Sequence, residues 1–138
     1  ERREPIDPSF HGAIGDWLFG CDICQEVCPH CQPTRRSKRA GAHPDYTPGR
    51  DALDVSAVLT WTDETWAHEV KGTAMERATL PMLRRNAIIV AVNTCPPDDR
   101  PALRARLRAI ADEETETPMV RETARAALDR LDERDDPA

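Results

Sequence analysis

Four cysteines, Cys21, Cys24, Cys28 and Cys31, fall within eleven residues, and this crowding constrains the chain more than any other feature. Disulfides stabilise by closing well-separated loops, which so tight a run cannot provide. A fifth cysteine, Cys95, makes the number odd, so a secreted disulfide framework is excluded and a bound metal is the expected explanation. Thiolates are soft, strongly donating ligands that select zinc or iron-sulfur centres. A reducing, cytoplasmic setting follows as an expectation.

The run reads Gly20-Cys21-Asp22-Ile23-Cys24-Gln25-Glu26-Val27-Cys28-Pro29. Two residues between Cys21 and Cys24 let both thiolates point at one centre, and three more carry Cys28 round before the proline. Bacterial ferredoxin runs finish C-x3-C-P, and in two-cluster ferredoxins that last cysteine reaches the other cluster. The alternative is a zinc knot of Cys21, Cys24, Cys31 and either Cys28 or His30. Zinc ribbons pair two knuckles across a longer loop, whereas a single packed run stands here. Cys95, beside Pro96 and Pro97, reads as a small apolar side chain with no chemistry assigned.

The rest of the chain points to helices. A length of 138 residues suits one domain or one piece of a longer chain, and because it opens on Glu1 rather than Met the expectation is the tail of a longer protein. Only six residues are aromatic (three Trp, two Phe, one Tyr), which fits a small helical body and excludes an all-β sandwich. The longest stretch without Asp, Glu, Lys or Arg is the twelve residues Asn86 to Pro97, too short to cross a bilayer. The net charge of -6 argues against a surface that binds phosphate everywhere, since generic nucleic-acid affinity needs many Lys and Arg contacts. The local cluster Arg35, Arg36, Lys38 and Arg39 is the candidate for contact with an anion or RNA backbone.

Pro29, Pro33, Pro44 and Pro48, with Gly41 and Gly49, interrupt any regular pattern, so residues 33–50 read as a linker loop. Helical spacing begins after it. Leu53, Val55, Val58 and Leu59 make a short amphipathic turn, and Trp61-Thr62-Asp63-Glu64-Thr65-Trp66 reads as a cap entering a second helix. Pro81-Met82-Leu83-Arg84-Arg85-Asn86-Ala87 is then echoed by Pro118-Met119-Val120-Arg121-Glu122-Thr123-Ala124 at a spacing of 37 residues. Such a period, with proline in the first helical turn and small alanines for close packing, is that of a HEAT-like solenoid. Between the copies, Pro101 to Ala111 places Leu103, Leu107 and Ile110 on one face and displays Arg104, Arg106 and Arg108. The last helix, Val120 to Leu131, buries Val120, Ala124, Ala127, Leu128 and Leu131 and gives way to a fraying, charged end from Asp132. The expected fold is therefore mainly α, with a ferredoxin-like iron-sulfur motif segment (1–32), the linker (33–50) and a HEAT-like helical repeat tail (51–138).

At Phe19-Gly20-Cys21-Asp22-Ile23-Cys24-Gln25-Glu26-Val27-Cys28-Pro29, preceded by Ile14-Gly15-Asp16-Trp17-Leu18, the sequence resembles the epoxyqueuosine reductases. Gly72-Thr73-Ala74-Met75-Glu76-Arg77 and Leu83-Arg84-Arg85-Asn86-Ala87 look like the family's G-[ST]-A-x-x-R and L-x-R-N-A segments. The resemblance implies a cobalamin-dependent, cytoplasmic, monomeric oxidoreductase. It carries two [4Fe-4S] clusters and reduces epoxyqueuosine to queuosine at the tRNA wobble position, within the anticodon region, without a membrane. This chain would be its C-terminal part, the catalytic acid and most of the cobalamin pocket lying upstream. Cys21 and Cys24 would ligate one cluster and Cys28 the other, with Cys21, Asp22, Ile23 and Cys24 at the cofactors. The family continues Cys-Pro-Trp-Asn where this chain has Cys28-Pro29-His30-Cys31, so the loop after the last ligand has changed chemistry.

Arg84, Arg85 and Asn86 are the expected RNA-binding residues. Leu83 and Ala87 claim the buried face of their helix, which opens the arginines toward solvent. Arg84 shares its repeat position with Arg121, which favours a structural role for it and leaves Arg85 as the cleaner phosphate contact; Asn86 is carried over from the family. His11, His43 and His68 read as surface or loop residues. The alternative for the whole chain is a zinc-stabilised HEAT-like module that binds a partner without catalysis.

Overall fold

The computed structural model describes residues 2–31 and 53–135, and within them every regular element is helical. The expected linker, with Arg35, Arg36, Lys38, Arg39 and His43, lies outside the described residues. The chain divides into two compact units, Gly20–Leu53 and a larger one made of Glu1–Phe19 with Asp54–Ala138. The stretch before Gly20 packs with the helices of the larger unit.

The smaller unit holds the short helix α1 (Ile23–Glu26). In the larger unit a 3-10 turn at Pro8–Phe10 is followed by α2 (Val55–Val58), α3 (Asp63–Val70), α4 (Leu80–Thr94), α5 (Arg100–Asp112) and α6 (Pro118–Asp135). Thr62 caps α3 as the sequence predicts: its hydroxyl accepts from the Thr65 amide at 3.2 Å, with Asp63 and Glu64 in the first turn. The sharp turn after α3 needs Gly72 at φ +73°, and its amide donates to the Glu76 carboxylate at 2.9 Å.

Helix α4 is the centre of the fold. Pro81 occupies its first turn, and Leu80, Met82, Leu83, Ala87, Ile88, Ile89, Val90, Ala91 and Val92 are all buried. Apolar residues on every side of one helix mean that neighbours must surround it. Here α2 and α6 pack against it, and α5 packs against α6. Emptying a site such as Ile88 would cost roughly 2–5 kcal/mol.

Polar contacts fix the directions of the three long helices. Arg84, near the start of α4, pairs with Glu116 just before α6, while Arg134 near the end of α6 donates to the Val92 carbonyl near the end of α4. The two helices opened by Pro81 and Pro118 thus run parallel. Helix α5 runs the other way, since Arg100 and Arg104 at its start bind Asp132 and Asp135 at the end of α6. These pairs correct the expected fraying at Asp132, because the helix continues through Asp135. They also take Arg104 out of the displayed set.

Candidate metal centre

The cysteine run occupies one loop, one helical turn and a second loop. The Asp22 carbonyl starts α1 by accepting from the amides of Gln25 and Glu26 at 2.8 and 2.9 Å, which places Cys24 within the turn and Cys21 just before it. Cys21, Cys24 and Cys31 are exposed and Cys28 is half-buried; all are free thiols. Beside them Ile23 and Val27 are exposed large apolar side chains. Pro29 then turns the chain so that the Cys31 amide meets the Cys28 carbonyl at 3.0 Å.

Within that turn, the nearby amides of His30 and Cys31 hold the Cys28 thiol below its ordinary pKa. The donor set fits a soft metal: four sulfurs, three exposed and one half-buried. Among the described residues no three His, Cys, Asp or Glu side chains come together as a metal-holding group. His30, a possible fourth zinc ligand, is exposed.

The arginine pair behaves differently from its sequence reading. Arg85 is 2% exposed, and the expectation that it opens toward solvent for a phosphate is corrected. Its guanidinium donates to the carbonyls of Arg2 at 2.7 Å and Glu4 at 2.6 Å and to the Asn86 side chain at 3.0 Å. Arg84 bonds the Glu116 carboxylate and the Trp61 carbonyl, in keeping with the structural role that its repeat position favours. Asn86 donates to the Leu18 carbonyl at 2.8 Å. All three side chains expected on RNA are engaged within the protein: Arg85 and Asn86 because residues 2–19 fold back over this face of α4, and Arg84 by Glu116 and Trp61.

A second asparagine and a histidine complete that clasp, and neither stands out in the sequence. Asn93 donates to the carbonyls of His11 at 2.8 Å and Gly15 at 2.7 Å. His11 is not a surface residue: it is 2% exposed, its Nε2 lies 3.1 Å from the Ile6 carbonyl, and burial, aided by nearby Arg130, lowers its pKa. The signal that could have found Asn93 is its seven-residue offset from Asn86, two turns along one helix face. His68 is exposed beside Glu69, as expected. Cys95 is half-buried and lines a cleft of about 350 Å³ with Val55, Leu59 and Leu103; burial raises its pKa.

Compared with known proteins, the chain is similar to several epoxyqueuosine reductases. It is 34% identical to that of Synechococcus sp. (strain CC9605) over 74% of its own length and 30% of the relative's. With that of Burkholderia pseudomallei (strain K96243) it shares 32% identity over 91% of its length and 31% of the relative's. The Cyclobacterium marinum protein is 35% identical over 62% of this chain and 26% of its own length. The chain thus spans less than a third of the length of the curated relatives it matches. No family model matches it, and no solved structure does.

Proposed function

We propose, from the premise that this chain is a relative of part of the epoxyqueuosine reductases, that it is the C-terminal part of an enzyme reducing epoxyqueuosine to queuosine in tRNA. The observation that carries the reading is the cysteine run, whose sulfurs are accessible around a short helical turn, in a chain 34% identical to such a reductase. In this reading Cys21 and Cys24 ligate one [4Fe-4S] cluster and Cys28 the other, with Asp22 and Ile23 beside the cofactors. When bound, the clusters and cobalamin supply the electron transfer and the reductive chemistry. The chain's own share is to hold cluster ligands on a short helical turn and to position the RNA.

The parallel helices opened by Pro81 and Pro118, 37 residues apart, support a HEAT-like body for the second task. With Arg84, Arg85 and Asn86 committed to the fold, the tRNA contacts fall to other side chains. The enzyme acts as a cytoplasmic monomer; among the described residues no helix is long and apolar enough to cross a membrane.

The test is anaerobic reconstitution of the longer protein that this reading requires. Iron and sulfide should be bound together with a broad brown absorbance, and Cys21→Ser or Cys24→Ser should lower both. Stoichiometric zinc without iron would favour the zinc-stabilised binding module instead.

A further inference from the structure

We propose that Cys28 and Cys31 form a thiol-disulfide pair that exchanges with small-molecule disulfides. The Cys28-Pro29-His30-Cys31 turn closes through the Cys31 amide to the Cys28 carbonyl at 3.0 Å, which sets the two cysteines at the ends of one tight turn. A turn of this kind keeps its first and fourth Cα atoms within about 7 Å, where a disulfide needs about 4.4–6.8 Å. Both sulfurs can be reached, Cys31 being exposed and Cys28 half-buried.

The other C-x-x-C pair, Cys21 and Cys24, is not joined by such a turn: the bonds there run from Gln25 and Glu26 to Asp22. Closing so short a loop gains little from the unfolded chain, and exposed bonds of this kind are readily reduced again. That lability is what a reversible switch requires.

The chemistry balances with a disulfide such as oxidised glutathione as co-reactant. The Cys28 thiolate attacks one of its sulfurs and expels one glutathione thiolate, leaving a mixed disulfide on Cys28. The Cys31 thiolate then attacks the Cys28 sulfur and expels the second glutathione. Two protein thiols are thereby oxidised, two protons are lost, and one oxidised glutathione becomes two reduced molecules. A sulfur held in that bond has no thiolate to give a metal, so the pair would govern whether Cys28 is available as a ligand. This consequence rests on the cluster reading, whereas the pairing does not.

The experiment uses the reduced, metal-free chain, equilibrated with oxidised and reduced glutathione, alkylated and mapped by mass spectrometry. Wild type should lose two of its five thiols together, as a disulfide joining Cys28 to Cys31, while Cys21, Cys24 and Cys95 remain open to alkylation. Cys31→Ser should instead retain a glutathione adduct on Cys28, because the resolving thiol is gone. A first disulfide involving Cys21 or Cys24, or a Cys28 adduct that persists equally in wild type and Cys31→Ser, overturns the proposal. Neither result depends on whether iron binds.

Discussion

Arg85 and Asn86 share a hydrogen bond, Nε to Oδ1 at 3.0 Å, and from adjacent positions on α4 they hold opposite ends of one segment. Arg85 takes the carbonyls of Arg2 and Glu4, and Asn86 takes that of Leu18. The motif that reads as an RNA contact is therefore a fastening for the chain leading into the cysteine run. Leu18 stands three residues before Cys21.

Arg85→Leu should unfold at lower urea concentration. Hydrogen bonds to a charged donor are each worth about 1.5–3 kcal/mol, and both carbonyls lose that donor. A loss of roughly 3 kcal/mol is expected, and Arg85→Lys should recover only part of it: one terminal nitrogen meets both carbonyls, which an ammonium could also do, but the Nε bond to Asn86 is lost. A change within about 0.5 kcal/mol would mark Arg85 as a surface residue.

Asn86→Ala should loosen the far end of the segment selectively. Amide hydrogen exchange should accelerate around Trp17 to Phe19 before the core of α4 opens, with a global cost of about 1–2 kcal/mol for the unpaired Leu18 carbonyl. Uniform acceleration across the helices would contradict this local role.

Arg84 and Glu116 join the start of α4 to the start of α6, and both are largely shielded from solvent. A double-mutant cycle with Arg84→Ala and Glu116→Ala should give a coupling of about 1–2 kcal/mol, above the range for exposed pairs. The Trp61 carbonyl, which also accepts from Arg84, should make Arg84→Ala the costlier single change.

The lowered pKa of His11 sets a pH dependence. An imidazole that protonates less readily when folded leaves the unfolded chain binding more protons, so its contribution to stability is intact above the ordinary value of 6.5 and is lost as pH falls below it toward the folded value. Denaturation midpoints should drop across that window in wild type. His11→Gln, which cannot titrate, should flatten that part of the curve.

The sequence by itself determined what local patterns encode. The scarcity of aromatic residues and the apolar spacing predict an all-helical body, Thr62 marks the start of α3, and Pro81 and Pro118 open two helices 37 residues apart that prove parallel. The cysteine spacing made the candidate site legible, because ligand type and separation are properties of the chain. Which face of α4 meets solvent was decided only by the tertiary structure. Periodicity assigns Leu83 and Ala87 to the core, but it cannot know that residues 81 and 83 positions earlier in the chain return to cover Arg85. His11, Asn86 and Asn93 take their roles from the same return. That the Cys28–Cys31 stretch closes as a turn through one amide is likewise not written in the spacing of its cysteines. Burial and hydrogen-bond partners of polar groups depend on segments remote in sequence, and no local pattern carries that information.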